Sequence, residues 1–288
     1  FYVNYIRRTQ MSMLIPYTKM QGAGNEILVV DQRDSDHPPP SPEEIRRLGQ
    51  SGMGPSFDQL MWIGSPRNPK SAASYRVFNR DGSEVEQCGN GVRCVARVLA
   101  GADCRGEALL LEGPAGDVEA TVLDDGRVAA SMGIPEFDPE KIPFVADELQ
   151  EQYELEVGGQ TRRVSVLSIG NPHCVLLVDS IPSADVDRLG PAIEEHARFP
   201  EGANVGFMCV TDPTTIELRV WERGVGETLA CGTGACAAVI AGIQLGLVAE
   251  DVSVRLPGGE LMVSWRGGNE PVWLTGNAEL ISEGTIDL

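Results

Sequence analysis

The chain has 288 residues, long for one domain and comfortable for two, and its 42% hydrophobic and 23% charged residues argue against disorder. A formal net charge of -19 sets it against phosphate backbones and anionic lipid surfaces, so a small molecule is the expected partner, with no nucleic acid and no membrane. Seven irregularly spaced cysteines, in a chain able to stabilise itself by burial, speak against an extracellular disulfide framework.

The opening FYVNYIRRTQMSM carries two arginines but no apolar core or small-residue cleavage site; it does not read as a secretory signal, and Met11 or Met13 is the expected natural start. Ile27 to Val30 is an apolar run of strand length, and Tyr75, Val77 and Asn79 share one face of a later strand. VFNRDGSEVEQCGNG (77–91) then yields to a helical pattern on Val92, Val95, Ala96 and Leu99. VEATVLDDGRVAASM (118–132) holds the Asp-Gly signal of a hairpin, and the Pro- and charge-rich IPEFDPEKIPF (134–144) reads as a linker. Further strands are predicted over Val164 to Ile169 and Val175 to Val178. From Thr215 to Glu222 the chain alternates, placing Ile216, Leu218, Val220 and Glu222 on one inward face. ACAAVIAGIQLGL, after Cys231, is apolar nearly all round, the mark of a buried helix. The stretch Ala235 to Ala249 is interrupted by Gln244 and too short to span a bilayer, so a cytoplasmic location is expected.

The chain repeats itself once. VFNRDGSEVEQCGNG (77–91) lies on VWERGVGETLACGTG (220–234) without a gap, and GNEILVVD (24–31) matches GNPHCVLLVD (170–179) in the same order. Two homologous halves follow. In each, a cysteine stands at a helix entrance followed by glycines that let the backbone turn tightly and expose its N–H groups. Such a position favours anions, so Cys88 and Cys231 are expected to have pKa values below roughly 8.5, and the same N–H groups can hold a carboxylate. If the halves face each other, two thiols converge on one cleft from opposite sides, a geometry suited to inverting an amino-acid α-carbon with no cofactor. CGNGVRC and CGTGAC are wider than the close pairs of a zinc site, so no metal is expected. Cys94, Cys104, Cys209 and Cys236 read as buried, inert side chains. Two other readings stay open at this point: a single cysteine nucleophile with His173 as base, and a redox protein cycling a Cys88 to Cys231 disulfide.

QCGNGVRC, IGNPHC, NVGF, ERGVGETLACGTGAC and LPGG occur in an order that resembles the diaminopimelate epimerase family, a likeness covering nearly the whole chain from about Tyr17. The resemblance implies an α+β fold of two pseudo-symmetric domains, each a mixed sheet curled into a barrel round a central helix. The first domain would take residues 13–132 with 277–288, and the second 133–276. It implies Cys88 and Cys231 as the acid/base pair and His173 and Glu222 as groups that tune the thiols. Asn25, Gln59, Asn79, Asn171, Asn204, Glu222 and Arg223 would contact substrate, with Gly89-Asn90 and Gly232-Thr233 binding the reacting carboxylate. A homodimer without cofactor, active on diaminopimelate in lysine and peptidoglycan-precursor synthesis, is also implied. The chain departs from the family pattern in QGAGNE, where HGxGND is usual; in GMGPSFDQ, two residues longer than GxGFDQ; and at Ser282, in place of a tyrosine.

Overall fold

Each half of the chain folds through the same order of elements in the computed structural model, which describes residues 14–35, 37–50, 54–85, 88–101 and 106–288. The first half runs β1 (Leu14–Gly22), β2 (Asn25–Asp31), α1 (Pro42–Leu48), β3 (Gln59–Gly64), β4 (Ala73–Asn79), β5 (Glu84–Val85), α2 (Gly89–Ala100), β6 (Ala108–Gly113), β7 (Gly116–Val122) and β8 (Val128–Ser131). After β9 (Tyr153–Val157) the second half repeats it as β10 (Gln160–Ser168), β11 (Pro172–Leu177), α3 (Val186–Glu194), β12 (Asn204–Asp212), β13 (Thr215–Glu222), β14 (Gly226–Thr228), α4 (Gly232–Gln244), β15 (Asp251–Leu256), β16 (Gly259–Ser264) and β17 (Trp273–Gly276). The pairing repeats too. β2 runs parallel to β3 as β11 does to β12, and β4 runs parallel to β6 as β13 does to β15.

The two central helices dictate this architecture. α4 is buried on every side from Gly232 to Gly242, as its unbroken apolar sequence requires, and the second sheet closes round it. α2 presents Val92, Val95 and Ala96 to the inside of the first sheet in the same manner. The shorter helices α1 and α3 cover the outer faces, each over its own apolar cluster. The expected α+β fold of two similar domains is therefore the one observed.

The remaining strand ties the chain together. β18 (Glu279–Asp287) returns to pair antiparallel with β1, setting Asp287 opposite Leu14, while β17 pairs with β8 between the halves. The segment 134–144 differs from the expected linker. Glu136 bridges to Ser168, and Ile142 and Phe144 are buried, Phe144 stacking on Tyr153 and Phe199. Its prolines and charges describe its surface; two apolar side chains anchor it to the second core.

A second contact joins the halves beside the cleft. Ala23 and Gly24 form the two-residue turn between β1 and β2, with φ of 52° and 81°, the left-handed pair of a type I′ hairpin. Their backbone lies on Gly258 of the LPGG turn, whose N–H donates to Leu229 O at 2.7 Å. A Cβ on Gly258 would lie 2.3 Å from Ala23 O, so this glycine is needed for close approach. Gly258→Ala is expected to push the two turns apart, lowering stability by about 1–3 kcal/mol. Denaturant unfolding checks this, and a wild-type midpoint would show that the turns do not press on each other.

Candidate active site

Cys88 and Cys231 are the N-caps of α2 and α4, where the helices leave backbone N–H groups unpaired. Both line a single cleft of about 890 Å³ between the halves. The helix starts come close together: a Cβ on Gly232 would lie 3.6 Å from Gly89 Cα, and a Cβ on either glycine would fall within 3 Å of Leu274 Cδ2. The glycines thus serve a different end from the one read in the sequence. Neither has a positive φ, and their missing side chains let two helix starts meet over one leucine. Gly91 repeats the logic, since a Cβ there would lie 2.4 Å from Met61 Sδ.

Cys88 is partly exposed, accepts from Gly91 N–H at 3.2 Å and donates to Gln59 Oε1 at 2.6 Å. Gln59 Nε2 donates onward to Asn79 Oδ1 at 3.0 Å, and Asn79 Nδ2 to Ser83 Oγ. Cys231 is buried, 3.5 Å from Thr233 Oγ1, to which Asn171 Nδ2 donates. Asn171 Oδ1 accepts from His173 Nε2 at 2.9 Å. Burial, helped by the Arg223 charge, holds the His173 pKa down at about 3, so the ring is a neutral donor. It lies behind the cleft wall and reaches Cys231 only through Asn171 and Thr233.

The thiol pKa values run opposite to the expectation from the helix ends. Burial pushes Cys88 up to about 11, with the Glu222 charge adding to it and the Gly91 N–H and Arg93 charge opposing. Burial and Glu222 raise Cys231 well above the ordinary thiol value. Desolvation outweighs the helix termini at both sites. Glu222 accepts from Thr228 Oγ1, and burial raises its own pKa while the Thr228 hydroxyl and, less, the Cys231 thiol oppose. The second half thus sets a carboxylate near both sulfurs, where the repeat in the first half has neutral Asn79.

Asn25, Gln59, Asn79, Gly89, Asn90, Asn171, Asn204, Glu222, Arg223, Gly232 and Thr233 all line the cleft. They are not equally free. Asn25 Oδ1 is buried with no hydrogen-bond partner among the described residues, whereas Asn204 donates to Pro172 O and accepts from Arg223 N, holding the turn after β13. Arg223 is exposed, and among the described residues its one hydrogen-bond acceptor is Glu201 O, which leaves guanidinium donors for a ligand. Cys94 and Cys236 are buried as expected, but Cys209 is partly exposed and donates to Asp179 O; Cys104 lies outside the described residues.

Residues 17–137 and 165–281 match the family model for diaminopimelate epimerase. The chain belongs to the diaminopimelate epimerase family. Relatives named diaminopimelate epimerase from Alkalilimnicola ehrlichii and Pseudomonas aeruginosa are 49% and 46% identical, each over 96% of this chain and 100% of its own length. More distant structures share the fold. A hydroxyproline epimerase from Agrobacterium vitis superposes with a TM-score of 0.70 at 17% identity over 96% of this chain and 93% of its own. A PhzF-family phenazine biosynthesis protein from Bacillus anthracis gives 0.65 at 14% identity over 95% and 99%.

Two departures from the epimerase family pattern meet in space. Glu26 takes Lys19 Nζ at 2.8 Å, and Ser56, from the lengthened GMGPSFDQ segment, accepts from Lys19 at 3.0 Å and donates to Glu26. The backbone N–H of Glu26 donates to Asp58, the neighbour of Gln59, so one cluster supports both Asn25 and Gln59. Sequence reasoning missed Leu274, which no motif marks, and Glu194, which accepts from Trp221 Nε1 and Gly224 N–H and fixes the Arg223 turn. Glu222→Gln removes the negative charge near both sulfurs, so both thiol pKa values are expected to fall, that of Cys88 from about 11. Mass-spectrometric alkylation profiles against pH measure each cysteine separately, and unmoved midpoints would remove Glu222 from its tuning role.

Proposed function

We propose that this protein interconverts LL- and meso-diaminopimelate without a cofactor, using Cys88 and Cys231 as a two-sided acid/base pair, in lysine and peptidoglycan-precursor synthesis. One observation carries the reading: the two cysteines stand at the N-cap positions of opposed helix starts that line the same cleft. A thiolate on one side takes the α-hydrogen as a proton. The electron pair left on carbon spreads into the α-carboxylate, and the opposite thiol returns a proton to the other face. Thiol and thiolate have then exchanged places, ready for the reverse direction.

The carboxylate lies between the Gly89-Asn90 and Gly232-Thr233 turns, where both helix starts favour negative charge and oppose its growth least in the transition state. The raised thiol pKa values fit a base that forms on binding. An α-ammonium between the sulfurs supplies the positive charge that offsets Glu222 and favours a thiolate. The distal amino-acid centre would be held by Arg223 through its carboxylate and by Asn25 Oδ1 through its ammonium.

Incubated in heavy water, the protein should place deuterium on the α-carbon of diaminopimelate and leave proline unlabelled. Cys88→Ala and Cys231→Ala should each lose epimerisation by about a hundred- to ten-thousand-fold, since inversion in either direction needs both sulfurs. Full turnover by either variant would end the two-base account.

A further inference from the structure

Among the described residues Arg93 is the largest fully buried side chain, and no carboxylate lies within ion-pair distance of it. Burying a cation without an anion is expensive, so its retention needs a reason. The repeat sharpens the question. With Cys88 on Cys231, Arg93 falls on Cys236, so the second half places a small apolar side chain where the first has a guanidinium.

The guanidinium is held in a fitted space. Gly22, at the end of β1, and Gly276, at the end of β17, flank it, and a Cβ on either would lie 3.3 Å from Nη2 or 3.2 Å from Nε. Nη2 donates to Asn90 Oδ1 at 2.6 Å and Nη1 to Gly89 O at 3.1 Å, while Nε has no partner among the described residues. Both acceptors belong to the first turn of α2, where Gly89 and Asn90 line the cleft. With Oδ1 committed to Arg93, the carboxamide of Asn90 must turn its Nδ2 hydrogens the other way. The bond to Gly89 O polarises the peptide whose N–H belongs to Asn90, making that N–H a stronger donor.

We propose that Arg93 is a positioning residue for the reacting carboxylate, fixing Asn90 as a donor to it and providing the buried positive charge that it meets on binding. This rests on the function proposed above. The missing counter-ion is then the substrate, which explains why none of the described residues supplies one.

The test starts with the wild-type protein, whose failure to exchange the α-hydrogen of diaminopimelate would sink the proposed function itself. With exchange established, Arg93→Met, Arg93→Lys, Asn90→Ala and the Arg93/Asn90 double variants are compared in kcat, KM and thermal unfolding. A methionine fills similar volume without a charge, so Arg93→Met should fold with a Tm at or above wild type yet lose about a hundredfold in kcat/KM, carried by KM more than by kcat. Arg93→Lys should keep part of the activity and, combined with Asn90→Ala, be no worse than Asn90→Ala alone, while Arg93→Met combined with Asn90→Ala, which also loses the buried charge, should lose less than the product of the two single losses. An Arg93→Met protein within threefold of wild type, or losses at the two positions that multiply, would overturn the proposal. Should Arg93→Met not fold, Arg93→Lys decides: wild-type KM overturns it, and a tenfold rise in KM at unchanged Tm, absent on an Asn90→Ala background, supports it.

Discussion

Two helices of this protein start almost against each other. α2 and α4 meet at Gly89 and Gly232 above Leu274, and each start carries unpaired N–H groups and a partial positive charge. That contact is electrostatically unfavourable by itself, and the apolar bodies of both helices, closed in by their sheets, hold it in place. Leu274 belongs to β17, the strand that pairs with the other half, so the surface beneath the contact is tied to both sheets. The cleft is therefore a place made for an anion by the fold as a whole.

Duplication alone would give a symmetric cleft, and the chain has altered one copy at each decisive position. Asn79 faces Glu222, Asn90 faces Thr233 and Arg93 faces Cys236 in the repeat. At these paired positions the carboxylate comes from the second half and the buried cation from the first. Cys88 is hydrogen-bonded to a neutral amide, whereas Cys231 lies beside the Thr233 hydroxyl with the Glu222 charge raising its pKa. Two sulfurs in like positions are left chemically unlike, a difference that the proposed pair of proton transfers can use.

Much of this was legible in the residues because it is carried by period and repetition. The alternation of Ile216, Leu218 and Val220 gave β13 its inner face, the Asp-Gly pair gave the turn between β7 and β8, and the duplicated CGxG gave both caps. Quantities that depend on what surrounds a residue were not legible. The thiols were expected low from their helix positions, but burial depth is a property of the assembled cleft, and it dominates. Ile142 and Phe144 looked like parts of a linker because the core they join, with Phe199 against Phe144, is assembled from segments far along the chain. The compensation between Glu26 and Ser56 through Lys19 likewise joins segments that no short motif spans.

The return of β18 to β1 has a bearing on biosynthesis. The ribosome releases Leu14 long before Asp287, its neighbour in the sheet, so during translation β1 must wait with one edge unpaired while the entire second half is made. An unpaired edge of nine residues is a template for other nascent chains. The polar and charged residues along β1, Thr18, Lys19 and Gln21 among them, keep that interval safer than an all-apolar strand would.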